Sequence, residues 1–181
     1  DGDLDLFVLN GHVYPQAARM GSDTRYAQAD QLFLQSAEGS FVEQRLHAGR
    51  AAVSRAGVAG DVDGDGDLDI VALSVEGRVR LLQNQARQRD LGAWLGVRLV
   101  GANGAEAMGA TVTVEAGGLV QHRRSRTAGG FQAATPASLH FGLGKSVTPA
   151  KVTVRWPDGT ETLMRDVPCN AWLEVSKGSG S

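Results

Sequence analysis

The sequence predicts an all-β chain, a partial β-propeller of short blades followed by a small antiparallel β-sandwich or barrel. Three observations carry this expectation. Twenty-four glycines punctuate short β-branched runs, a composition of many turns and brief strands. The segment Asp-Gly-Asp-Leu-Asp occurs at residues 1–5 and again at 65–69, each time leading into an apolar strand. That offset of 64 residues is the length of one unit in a modular β array. Beyond residue 92 a strict apolar-polar alternation takes over, the mark of strands with one packed and one wet face.

The first strand is Leu6-Phe7-Val8-Leu9, followed by a polar loop with Gly21, Ser22 and Asp23. Gln31–Gln35 and Ser40–Arg45 flank the turn Ala37-Glu38-Gly39, a hairpin pattern. Ala51–Ala59 reads as a weak extended stretch leading into an aspartate loop, after which come a strand over Leu68–Val75, the turn Glu76-Gly77, and a strand over Arg78–Leu82. Four short strands per unit is the content of a propeller blade. Gln85–Gly92 is polar and aperiodic, so a domain boundary is placed there, giving 1–86 as incomplete blades, 92–176 as the second domain, and 177–181 as a linker or tag remnant. In the second domain Trp94–Val100, Ala110–Glu115 and Lys151–Trp156 alternate, with Val152, Val154 and Trp156 on one face. Trp156-Pro157-Asp158-Gly159-Thr160 supplies the residues of a tight turn, proline fixing φ and glycine accepting a positive one.

The run Asp61-Val62-Asp63-Gly64-Asp65-Gly66-Asp67-Leu68-Asp69 packs five carboxylates into nine residues. Like charges this dense need a cation, and oxygen ligands at alternate positions suit Ca²⁺, which takes six to eight of them. The helical calcium loop is excluded, because its twelfth position requires glutamate and here holds Ala72, and because a strand rather than a helix follows. The expected side-chain ligands are Asp61, Asp63, Asp65 and Asp69, with Asp67 contributing its carbonyl. The first copy lacks counterparts of Asp61 and Asp63, so Asp1, Asp3 and Asp5 are expected to form only part of a second site. On this reading the chain is a piece of a longer protein, since about one and a half blades cannot close a propeller. The open apolar edge must then be covered by the second domain, by another copy, or by further sequence.

Net charge is −2 and eight of the 20 acidic residues lie in the two aspartate loops, so bulk affinity for nucleic acid is not implied. The basic run Gln121–Arg126 has no interleaved aromatics for base stacking and reads as a charged strand edge. No apolar stretch is long enough to span a membrane. The lone Cys169 excludes an internal disulfide and reads as a small packed side chain rather than a nucleophile. His12, His47, His122 and His140 form no zinc-hydrolase motif, and there is no nucleophile elbow or phosphate-binding loop, so catalysis is not indicated. His140, between Leu139 and Phe141, reads as a half-buried strand histidine, and His12 as a turn residue. Thr127–Phe131 is expected to be a flexible loop exposing an aromatic, the best interaction feature of the second domain.

These residues resemble the C-terminal part of the bacterial proteins similar to cartilage acidic protein 1, in which FG-GAP/VCBS-type propeller repeats precede an ASPIC/UnbV domain. The matching words are Asp3–Pro15, Gln31-Leu32-Phe33, Gly60–Asp69 and Leu81–Asn84, then Trp94–Gly101, Gly109-Ala110, Leu139–Gly144 and Val154–Gly159. One departure is the loop Asn103–Met108, where the family usually carries an arginine. The resemblance implies calcium-stabilised blade turns and a secreted, periplasmic or cell-surface location. It also implies a scaffold or binding module for a protein or glycan, with self-association through the open edge as one outcome. A branch of the family sits beside enediyne biosynthesis genes, which leaves an enzyme or accessory role as the alternative.

Overall fold

The computed structural model describes residues 2–21, 25–46, 51–85, 92–145 and 150–178. Asp1, Ser22, Asp23, His47, the boundary segment 86–91 and the tail 179–181 lie outside the described residues. Strands dominate, and the only helical turn among the described residues is the 3-10 segment Ala17–Met20.

The first sheet holds β1 (Leu6–Val8), β2 (Gln31–Gln35) and β3 (Phe41–Gln44), all antiparallel, with Phe7 opposite Leu32 and Leu34 opposite Val42. The second holds β4 (Ser54–Gly60), β5 (Asp69–Ser74) and β6 (Val79–Leu82) in the same fashion. The four strands of one 64-residue unit are thus shared between sheets: three close one sheet, and the fourth crosses to begin the next. Repeat position is kept, because β1 and β5 each follow a copy of Asp-Gly-Asp-Leu-Asp.

Polar contacts hold the two sheets together. Ser54 N donates to Asn10 O at 2.9 Å, and Arg55 donates to the carbonyls of Gly11 and His12 at 3.0 and 2.8 Å. Asp30, with its side chain 2% exposed, pairs with Arg80 at 2.5 Å and accepts Asn10 N at 2.9 Å. Few apolar side chains of this region are buried, Val53 and Ala72 among them, whereas Leu6, Val79 and Leu81 are exposed.

Nine further strands follow: β7 (Ala93–Val100), β8 (Thr111–Ala116), β9 (Leu119–Arg124), β10 (Ala128–Gly130), β11 (Ala133–Ala134), β12 (Leu139–Gly144), β13 (Ala150–Arg155), β14 (Glu161–Val167) and β15 (Ala171–Ser176). Seven of them form a sandwich of two sheets, ordered β14-β13-β8-β9 and β12-β7-β15, while β10 and β11 pair only with each other. The alternating residues of the sequence fill the space between: Leu95, Val97 and Leu99 meet Val112, Val114, Val152, Val154 and Phe141 in one core. Trp156 closes it, its indole N–H donating to Thr162 Oγ1 at 2.9 Å. Each fully buried residue of this kind contributes about 1.5–3 kcal/mol of transfer free energy.

Two expectations need correction. The sandwich is not wholly antiparallel, because β15 runs parallel to β7. A parallel pair needs a long crossover, and here the whole remainder of the sandwich lies between the two strands. The segment Thr127–Phe131 is not a free loop either: Ala128–Gly130 pairs with β11, and this small hairpin lies on β4. Phe131 at its tip is nevertheless exposed.

Candidate metal centre

The chain from β4 to β5 turns through Asp61–Leu68, with Gly64 and Gly66 at φ of 78° and 93°. Those angles suit glycine and curl the backbone around its own carboxylates. Asp61 accepts Gly64 N at 2.8 Å through Oδ1 and Gly66 N at 3.2 Å through Oδ2. Asp63 accepts Asp65 N at 3.3 Å, and Asp65 accepts Asp67 N at 2.9 Å. These N–H groups tie the carboxylates to the turn, Asp61 through both oxygens and Asp63 and Asp65 through one each. Gln83, just beyond β6, donates to Asp63 Oδ2 from outside the loop.

The result is that ligand oxygens of Asp61, Asp63 and Asp65 all lie within 4.8 Å of one another. Oxygens bound to one Ca²⁺ at 2.3–2.6 Å can stand at most about 5 Å apart. The three carboxylates therefore fit a hard cation in spacing, in charge and in donor type.

Asp67 and Asp69 lie outside this group. Asp69 is 1% exposed, and its two oxygens accept Val62 N at 3.0 Å and Asn84 N at 2.8 Å. It fastens the loop entry to the chain leaving β6. Asp5, its counterpart in the first copy, does the same work by accepting Gln35 N at the end of β2 at 2.9 Å. Asp3 is exposed, Asp1 lies outside the described residues, and no second carboxylate cluster is gathered among the described residues.

The far side of the loop rests on the sandwich. His140 Nε2–H donates to the Gly66 carbonyl at 2.7 Å. Its ring stacks on Trp94 at 5.6 Å and 12°, and Trp94 meets Trp172 edge-on at 5.8 Å. Burial pushes the His140 pKa down, opposed by the Gly66 carbonyl and the carboxylates of Asp61 and Asp67, and assisted by Arg123. The Trp94 indole N–H is buried without an acceptor. In the sequence Trp94 occupies an outward position of an amphipathic strand, and its burial comes from the loop over it together with His140 and Trp172. Gly66 likewise showed its turn-forming role but not its second duty as a contact surface.

The remaining candidates fall elsewhere. His12 Nδ1 accepts Tyr14 N at 3.0 Å within a turn. His122 and Thr113 share a hydrogen bond of 2.9 Å on an exposed face. Arg124 and Arg126 are exposed at the edge strand β9, whereas Arg123 turns inward over Phe141 at 5.5 Å. Cys169 packs against the core, where burial pushes its thiol pKa up.

Two protein-family models match the chain. An FG-GAP-like repeat model matches residues 1–72, and an ASPIC and UnbV model matches residues 100–181. The chain joins FG-GAP-like repeat sequence to an ASPIC/UnbV domain. That order is the architecture of the cartilage acidic protein 1-like family. No curated protein matches the chain. The two domain types point to a structural or binding module of extracellular type, and no described helix is long and apolar enough to cross a membrane.

Proposed function

We propose that Asp61, Asp63 and Asp65 hold a calcium ion that pins the β4–β5 turn, and that the chain serves as a secreted, periplasmic or surface scaffold or binding module. The observation that carries this reading is the convergence of the three carboxylates to within 4.8 Å, imposed by the loop's own N–H groups. Bound calcium would supply the positive charge that lets these groups sit together. Asp69 supports the loop from behind through its two accepted N–H bonds. The functional units are residues 1–86 and 92–176, and the partner is a protein or a glycan.

Self-association has an observation of its own. Leu73, Val79 and Leu81 stand exposed on one face of the β4–β6 sheet, in the manner of a blade face without its neighbour. A second copy presenting its β1–β3 sheet would cover this face.

Isothermal titration and thermal unfolding test the calcium reading. For a site of Kd ~10⁻⁴ M, 10 mM calcium stabilises by about 2.7 kcal/mol. In a chain of this size that raises the midpoint by about 5–11 °C. Asp65→Asn should abolish both the heat signal and the shift. A midpoint indifferent to calcium and EDTA would sink the assignment.

A further inference from the structure

We infer that the ASPIC/UnbV domain is a clamp on the two aspartate loops, so that calcium binding at Asp61, Asp63 and Asp65 and docking of that domain reinforce each other. The inference rests on the calcium reading above and adds a second consequence of it.

Gly2 and Gly66 occupy the same position in the two copies of Asp-Gly-Asp-Leu-Asp, and both have positive φ, 100° and 93°. Both face β12. A Cβ on Gly66 would overlap the Trp94 ring, and the Gly66 carbonyl accepts the His140 N–H. A Cβ on Gly2 would lie 3.1 Å from Gln121 Nε2 and 3.2 Å from the Gly142 carbonyl, to which Gln121 itself donates. His140 and Gly142 are two residues apart on one strand, so one edge of the sandwich engages equivalent points of successive repeats. A third contact lies at the hairpin, where a Cβ on Gly130 would stand 3.1 Å from the Gly57 carbonyl in β4.

The coupling has a physical path of a single residue. Gly66 N–H is held by Asp61 Oδ2, a proposed ligand oxygen's own carboxylate, while Gly66 C=O is held by His140. An ion that fixes Asp61 therefore fixes the residue on which Trp94 and His140 sit. Conversely, a docked sandwich holds the loop in the conformation that gathers the carboxylates. Linkage makes the two effects equal in size.

The test uses the full chain and three substitutions that leave every aspartate in place. His140→Phe keeps a stacking ring but removes the donor, His140→Gln restores a donor, and Trp94→Leu removes the ring beneath Gly66. The expected result is a calcium Kd raised at least about threefold in His140→Phe and Trp94→Leu, a change of the size one lost hydrogen bond can produce. His140→Gln should recover most of the affinity. Hydrogen exchange in 139–144 and 128–134 of the wild type should slow when calcium replaces EDTA. A cooperative unfolding transition in EDTA establishes that each variant is folded. Unchanged calcium affinity in both ring variants, or exchange in β12 indifferent to calcium, overturns the clamp while leaving the metal site standing. Absence of calcium binding by the wild type overturns the metal reading and the clamp with it.

Discussion

Replacing Gly66 by alanine probes the contact between loop and sandwich, and Gly64→Ala provides a matched control. Both residues lie in the same turn at positive φ, 93° and 78°. Alanine at either position carries the strain of a left-handed non-glycine residue, about 1–3 kcal/mol. At Gly64 there is nothing within 4 Å of the added carbon, so strain is the whole effect. At Gly66 the methyl overlaps Trp94 Cε2 and Nε1. Trp94 has little room to yield, being stacked on His140 and tied to Asn170 through Trp94 N to Oδ1 at 3.1 Å and Asn170 N to Trp94 O at 2.7 Å. Overpacking of this kind costs about 1–3 kcal/mol more. At roughly 2–4 °C per kcal/mol for a chain of this size, Gly66→Ala should melt about 2–12 °C below Gly64→Ala. Differential scanning calorimetry of the two variants in EDTA measures the gap without any contribution from the ion. Equal midpoints would refute the seating of the loop on Trp94.

Other consequences are open to measurement. Asp30→Ala leaves the mostly buried Arg80 guanidinium without its carboxylate and should cost about 3 kcal/mol in urea unfolding; a loss under about 1 kcal/mol would mean the pair contributes only as a surface bridge. Lys177 and Thr160 hold the Asp158 pKa down to about 2 from 3.8. Because the folded value is depressed, the stabilisation is present above pH ~4 and is lost as pH falls through about 2. Carbon-detected NMR titration should show that midpoint, and Lys177→Ala should move it back toward 3.8. Leu81→Glu places a charge on the exposed face of the β4–β6 sheet; any dimer or larger species of the wild type seen by light scattering should dissociate, and persistence of the same species would remove that face from the interface.

The legibility of this protein in its sequence divides along a physical line. Local regularities were readable because period-two burial and turn chemistry are written residue by residue. Val152, Val154 and Trp156 are all buried as the alternation requires, and Gly159 turns after Pro157 at φ of 86°. The aspartate loop was readable for the same reason, since its carboxylates are gathered by N–H groups two to five residues away. Asp69 shows where that reasoning stopped. Its charge and spacing placed it in the loop but did not show the long-range bond it makes: besides Val62 N it accepts Asn84 N, 15 residues on. The parallel β7–β15 pair and the hairpin over β4 were equally hidden, because each depends on contacts between segments far apart in the chain.

By itself the sequence determined an all-β chain, the repeat of 64 residues, the alternating core of the second domain and an acidic loop suited to a hard cation. Only the tertiary structure decided that Asp61, Asp63 and Asp65 converge while Asp69 faces inward, and that Trp94 and His140 lie under Gly66. The reason is that glycine carries no side chain to announce a partner. A bare Cα reads in sequence as a turn, and becomes a docking surface only when another domain is folded against it.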